Sequence, residues 1–93
     1  MNAMDVRVTG RVQGVSYRAW TKSEAEKAGL SGWVRNHGDG SVVAHFEGSA
    51  AALAEMKRHL YSGPAASQVE HVIAVDTEPQ NISGFEIRET LGA

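Results

Sequence analysis

Two hydrophobic periods alternate along this chain in the order strand, helix, strand, strand, helix, strand, and that order leaves few ways to build a core. Met4, Val6, Val8 and Val12 alternate with Asp5, Arg7, Thr9 and Arg11, the period of two that marks a strand with one covered face over residues 4–12. Gly14 breaks the pattern, and a stretch rich in Ala, Glu and Lys follows from about Arg18 to Ala28. Its spacing predicts a helix with Tyr17, Thr21, Ala25 and Ala28 on the inward stripe and Lys22, Glu26 and Lys27 facing water. Gly29 is placed to end it.

"SGWVRN" at 31–36 and "SVVAHFEG" at 41–48 read as two strands joined in a hairpin across the glycine- and aspartate-rich "HGDG". In the second of them Val42, Ala44 and Phe46 point one way, and Val43, His45 and Glu47 the other. Ser49 is positioned to cap a second helix running to about Leu60, with Leu53, Met56 and Leu60 as its apolar stripe. Gly63 and Pro64 stop that helix. "QVEHVIAVD" at 68–76 is a fourth strand, a turn holds Pro79 and Asn81, and "FEIR" at 85–88 makes a short last strand.

Helices with a single apolar stripe and alternating strands call for a sheet covered on one face, with right-handed crossovers. The expected fold is α+β, the ferredoxin-like split βαβ: β-α-β-β-α-β plus a short fifth strand, with two helices on one face of a mixed, mainly antiparallel sheet. A length of 93 residues suits one small domain, 1–93, and no short repeat, low-complexity tract or linker divides it.

Composition narrows the function. With no cysteine, disulfides, zinc–thiolate sites and a cysteine nucleophile are excluded. His37, His45, His59 and His71 lack metal-ligand spacing. His45, His59 and His71 are expected at the surface or a sheet edge, His37 in a turn. No metal or cofactor is expected. The start "MNAMDVRV" lacks the pattern of a signal peptide and no stretch is long enough to span a membrane, so a cytoplasmic protein without a membrane partner is expected. Charge-rich helix faces point to a monomer. A net charge of −2 argues against a nucleic-acid partner, while leaving room for a small anion site.

Such a site is outlined by "GRVQGVSYR" at 10–18. The loop runs straight into the first helix, where free peptide N–H groups and the helix dipole collect partial positive charge. Gly14 allows close backbone approach, and Arg18 can fork two donors onto neighbouring phosphate oxygens. Neither a Walker loop nor a dinucleotide fingerprint is matched. Taken alone, the stretch reads equally well as a tight turn with a surface arginine. "GVSYR" has no serine-elbow pattern, so Ser16 is not a nucleophile. A second cluster, "GWVRNHGDGSV" at 32–42, lies on a strand that this fold brings near the loop, within reach of which Asn36 falls.

The two clusters together resemble the acylphosphatase family, small enzymes that split carboxyl–phosphate mixed anhydrides. Its first signature, glycine-x-valine-glutamine-glycine-valine-x-aromatic-arginine, is met by Gly10, Val12, Gln13, Gly14, Val15, Tyr17 and Arg18. Its second is met by Gly32, Trp33, Val34, Arg35 and Asn36, then Gly40, Val42 and Gly48. Ser16 departs from the glycine, and Tyr17 from the phenylalanine, common in relatives. The resemblance implies a small-molecule acyl phosphate as substrate, inorganic phosphate as product, and no metal. It assigns phosphate binding to Gln13, Gly14, Val15, Ser16, Tyr17 and Arg18, and the catalytic roles to Arg18 and Asn36, the latter orienting water; the Gln13 side chain itself is expected to shape the loop backbone or to support the residues that touch phosphate. Two other readings stand beside it. An RNA-binding module on the same topology needs open-face aromatics that "SVVAHFEG" does not supply. A non-catalytic phosphate- or carbamoyl-phosphate-binding domain is the other, and the chain's end at Ala93 favours a free-standing enzyme over it.

Overall fold

A computed structural model describes residues 1–92. The elements are β1 (Asn2–Arg11), α1 (Tyr17–Lys27), β2 (Ser31–Asn36), β3 (Val42–Gly48), α2 (Ala50–Ser62), β4 (Gln68–Thr77) and β5 (Phe85–Ile87). They form a sheet of order β4-β1-β3-β2-β5. β1 pairs antiparallel with both β3 and β4, and β2 with β3, while β5 adds in parallel to β2. This is the expected split βαβ arrangement, and β5 is what makes the sheet mixed.

The covered face is the one the alternation selects. Met4, Val6 and Val8 of β1, Val34 of β2, and Val42, Ala44 and Phe46 of β3 are buried together with Tyr17 and Ala25 of α1 and Leu53, Met56 and Leu60 of α2. The Val, Leu, Met and Phe side chains among them each contribute about 1.5–3 kcal/mol when fully removed from water. Val12, just past the end of β1, is also buried and turns the chain inward toward α1.

One member of the expected α1 stripe is displaced. Ala28 is exposed, and Leu30 takes its place in the core. The helix ends in a Schellman motif: Leu30 N–H bonds the Ala25 carbonyl at 2.9 Å and Gly29 N–H bonds that of Glu26 at 3.1 Å. That closure rolls the chain over, so Ala28 becomes the cap while Leu30 returns to pack beside Ala25. At the other end of β1, Gly10 sits in a bulge at φ 117°, where a Cβ would lie 2.3 Å from the Gln68 carbonyl oxygen. The first glycine of the loop motif therefore serves the close approach of β4.

His45 is not at the surface. It points to the face opposite the helices, as the alternation requires, yet it is 0% exposed. Its Nδ1 lies 2.7 Å from Asp5 Oδ1 and its Nε2 lies 2.7 Å from Glu47 Oε2. A neutral imidazole has one N–H, so pairing both nitrogens with carboxylate oxygens requires the imidazolium or a proton shared with a carboxyl. The Trp33 ring stacks on His45 at 6.2 Å, with the guanidinium groups of Arg35 and Arg88 at 5.3 and 5.0 Å from the indole. The chain after β4 folds beneath this cluster and donates the peptide N–H groups of Gln80 and Ile82 to the Glu47 carboxylate. Burial pushes the Glu47 carboxyl up, but these hydrogen bonds together with His45 outweigh it and leave the group below the usual carboxylate range.

Candidate active site

The loop from Val12 to Ser16 is built so that α1 begins uncapped. Gly14 adopts φ 73° and Ser16 adopts φ 62°, ψ 23°. Ser16 is the residue before the helix, and a serine there ordinarily sits in extended backbone and accepts from the first turn. Ser49 does this for α2, at φ −70°, ψ 154°, accepting from Ala52 N–H at 3.1 Å. Ser16, held left-handed, makes no such bond. The first helical bond of α1 is Trp20 N–H to the Ser16 carbonyl at 3.0 Å, so the N–H groups of Tyr17, Arg18 and Ala19 have no acceptor in the helix. Beside Gly14 nothing lies within 4 Å of where a Cβ would stand.

Arg18 lies in this first turn. Arg7, Lys22, Lys27, Arg58 and Arg88 are each paired with a carboxylate. Arg18, like Arg11, Arg35 and Lys57, has no such partner among the described residues. Asn36 stands at the end of β2 on the helix side of the sheet, and its Oδ1 is buried with no hydrogen-bond partner. The two meet in one open cavity of about 440 Å³, walled by Gly14, Ser16, Arg18, Ala19 and Asn36, with Val12, Tyr17 and Ile87 behind them. A larger hollow of about 570 Å³, between the N-terminal residues, α2 and the end of β4, contains none of these groups.

Not every residue of the motif reaches the cavity with its side chain. The Tyr17 ring is core: its hydroxyl donates to the Leu60 carbonyl at 2.6 Å, and burial pushes the phenol well above its usual range. Val15 packs against the core. Gln13 turns to the β2–β3 hairpin, where its Nε2 donates to the carbonyls of His37 and Ser41 at 2.8 and 2.9 Å. For these three only the peptide N–H remains to face an anion. Conversely, Ala19 and the half-exposed Ile87 line the cavity, although the pattern of 85–88 marks only a strand.

The hairpin behind Asn36 is tightly bonded. Arg7 Nη1 donates to Asp39 Oδ2 at 2.6 Å and to Ser41 Oγ at 2.8 Å. Hydrogen bonds from the Ser41 hydroxyl and peptide N–H, with His37 and Arg7 close by, hold the Asp39 carboxyl down at about 2. On the other side, Leu91 N–H bonds the Asn36 carbonyl at 2.9 Å, and Gly38 N–H bonds that of Leu91 at 2.8 Å. No group of three His, Asp or Glu side chains among the described residues is arranged to hold a metal ion. No helix among the described residues is long and apolar enough to cross a membrane.

An uncapped helix start, an arginine without a carboxylate partner and an asparagine with a partnerless oxygen thus surround one cavity, an arrangement chemically suited to an anion. Among known proteins, the acylphosphatase family profile matches residues 4–87. The chain belongs to the acylphosphatase family. It is 46% identical over 87 residues to the acylphosphatase of Nocardioides sp., covering 94% of this chain and 88% of that one. The acylphosphatase of Mesorhizobium japonicum is 49% identical over 82 residues, covering 88% and 87%. The crystal structure of the Bacillus subtilis acylphosphatase superposes with a TM-score of 0.92 at 32% identity, over 95% of this chain and 99% of that one. As a member of the acylphosphatase family, the protein is an enzyme.

Proposed function

We propose that this acylphosphatase grips the phosphoryl group of an acyl phosphate with Arg18 and the peptide N–H groups of residues 13–18, while Asn36 aims a water molecule at phosphorus. One observation carries this reading: Arg18, which has no carboxylate partner, and Asn36, whose Oδ1 has no hydrogen-bond partner, line the same cavity at the uncapped start of α1.

The chemistry asks for little more. A carboxylate is a good leaving group, so no acid is needed to protonate it. Phosphoryl transfer spreads charge over three equatorial oxygens, and the catalyst's work reduces to holding those oxygens and placing the nucleophile. Arg18 offers a planar fork that suits two of them, and the first turn of α1 offers N–H groups at the positive end of the helix dipole. The Ser16 hydroxyl, free of any capping bond, is available as a further donor. Asn36 Oδ1 accepts a hydrogen bond from the water and so orients it. An amide is no base at neutral pH, so the proton that the water loses goes to a phosphoryl oxygen of the substrate. The new P–O bond forms from water, the bond to the acyl oxygen breaks with its electron pair on the carboxylate, and inorganic phosphate is released. The same reading takes the protein as a cytoplasmic monomer, in keeping with the absence of cysteine and the charged outer faces of both helices.

The test follows the disappearance of benzoyl phosphate and acetyl phosphate with and without a chelator, in the wild type and in Arg18→Ala. Rapid, chelator-insensitive loss that Arg18→Ala abolishes is the expected result. Phosphate binding without turnover would favour a non-catalytic domain, and salt-sensitive RNA binding an RNA module.

A further inference from the structure

Asn36 has no side-chain partner to hold its carboxamide in place, so its aim is inherited from its backbone. That backbone belongs to β2 and the hairpin, whereas Arg18 and the free N–H groups belong to the loop and α1. Their separation must be fixed by something that joins the two. Gln13 does this. Both hydrogens of its amide nitrogen are donated to the hairpin neck, to the carbonyls of His37 at 2.8 Å and Ser41 at 2.9 Å. These two residues close the hairpin themselves, through His37 N–H and the Ser41 carbonyl at 2.9 Å, and His37 follows Asn36 directly. The neck is a firm post, since Ser41 is further held by Arg7 and Asp39. The loop that hangs on it contains two left-handed residues, Gly14 and Ser16.

We infer that Gln13 is a positioning residue: its two-pronged amide sets the distance between the phosphate loop and the Asn36 carboxamide, and thereby sets kcat in preference to ground-state affinity. The inference rests on the roles proposed above for Arg18 and Asn36. Because Arg18 and the N–H groups move as one unit with the loop, phosphate binding survives when the bridge is cut, but the water is no longer in line.

Gln13→Met keeps the length of the side chain and removes both donors. It is expected to lower kcat about 10- to 100-fold, the scale of a displacement near 1 Å at a reacting centre. KM for benzoyl phosphate and the inhibition constant of inorganic phosphate should change by less than about threefold, with kcat referred to the folded fraction measured by circular dichroism at the assay temperature, since an unfolded fraction also lowers apparent kcat at constant KM. In the Asn36→Ala background the same substitution should leave kcat within about twofold, because nothing remains to be aimed. An equal loss of kcat in both backgrounds would overturn the inference, as would an unchanged kcat in the single variant. If Asn36→Ala by itself retains full kcat, the assignment of Asn36 fails, and that arm reads it separately.

Should Gln13→Met melt below the assay temperature, Gln13→Glu carries the test. Ionised, it turns acceptors toward two carbonyls; protonated, it regains one donor. Its activity relative to wild type should recover as pH falls below about 5. Arg7, His37 and Asp39, the titratable groups around the neck, are common to both proteins and cancel in that ratio. A ratio constant with pH overturns the proposal.

Discussion

Glu47→Gln exchanges one buried oxygen for nitrogen, and its cost can be worked out from the donors that face the carboxylate. Oε2 receives His45 Nε2–H and the Gln80 N–H, and Oε1 receives the Ile82 N–H at 3.2 Å. Three donors thus meet two oxygens. A glutamine has one oxygen, so its NH₂ must confront at least one peptide N–H. In the better orientation the Ile82 donor is orphaned, which costs about 1–3 kcal/mol, and the two remaining bonds each lose about 1 kcal/mol of charge assistance. The sum is about 3–5 kcal/mol, the range found when a buried ion pair loses one partner. For a chain of this size total stability is about 5–14 kcal/mol, and each kcal/mol shifts the melting point by about 4–8 °C. The melting temperature at pH 7 should therefore fall by roughly 12–40 °C.

The pH dependence has a definite sign. The folded-state pKa of Glu47 lies below its ordinary value of 4.5. The unfolded chain takes up the proton first as pH drops, so the stabilisation is complete above the ordinary value and disappears as pH falls through the folded one. Wild type should lose this contribution below about pH 5, and the two stability curves should converge in acid. Glu47 is five residues along β3 from Val42, the partner of Asn36, and points to the opposite face. Activity below the melting range should be unaffected. Urea titrations of both proteins between pH 3 and 7 decide it. A cost under about 0.5 kcal/mol at pH 7, or parallel curves throughout, refutes the account of a charged buried cluster.

Arg18→Ala is expected to lose nearly all activity, at least about 100-fold, with the melting temperature unchanged. Arg18→Lys should also fail, because a point charge replaces a fork; unchanged phosphate affinity in either variant, read by inhibition, would remove Arg18 from the cradle. Asn36→Ala should lower kcat by about 10²- to 10³-fold, the scale of one oriented polar group, with phosphate affinity nearly intact; a raised KM with kcat preserved would make it a binding residue. Tyr17→Phe deletes the bond to the Leu60 carbonyl and should cost about 1 kcal/mol, or about 4–8 °C, with kcat unchanged, as thermal melts and the benzoyl phosphate assay will show.

Period and spacing were enough to read the order of elements and the face that each strand covers, since burying one stripe per helix and alternate residues per strand is dictated locally. What they do not carry is coverage from afar. The alternation correctly turns His45 away from the helices, yet its burial depends on the Gln80–Ile82 segment folding beneath it, which leaves no periodic trace. Ala28 fits the helical stripe until the Schellman closure, a backbone event, substitutes Leu30. In the proposed site, Arg18 and Asn36 are singled out by the resemblance to the family's two signatures, since the loop alone reads equally well as a tight turn with a surface arginine. Gln13 is harder to read: its partners are main-chain carbonyls, which carry no residue identity at all.

The fold treats its two helix starts oppositely, and the difference supports the proposed site. Ser49 satisfies an N–H of α2 from extended backbone. Ser16 gives up an equivalent bond, worth about 1 kcal/mol, and occupies a left-handed conformation that costs a non-glycine residue about 1–2 kcal/mol. Among the described residues nothing offsets these losses at the helix start itself: the first turn of α1 holds no acidic residue and no side chain caps it. A phosphoryl group can repay both at once, since its oxygens accept from the orphan N–H groups and its charge meets the dipole and Arg18. The strain at Ser16 is thus best understood as holding the N–H groups open for an anion before it arrives, which is the condition under which preorganised donors stabilise a transition state without reorganising.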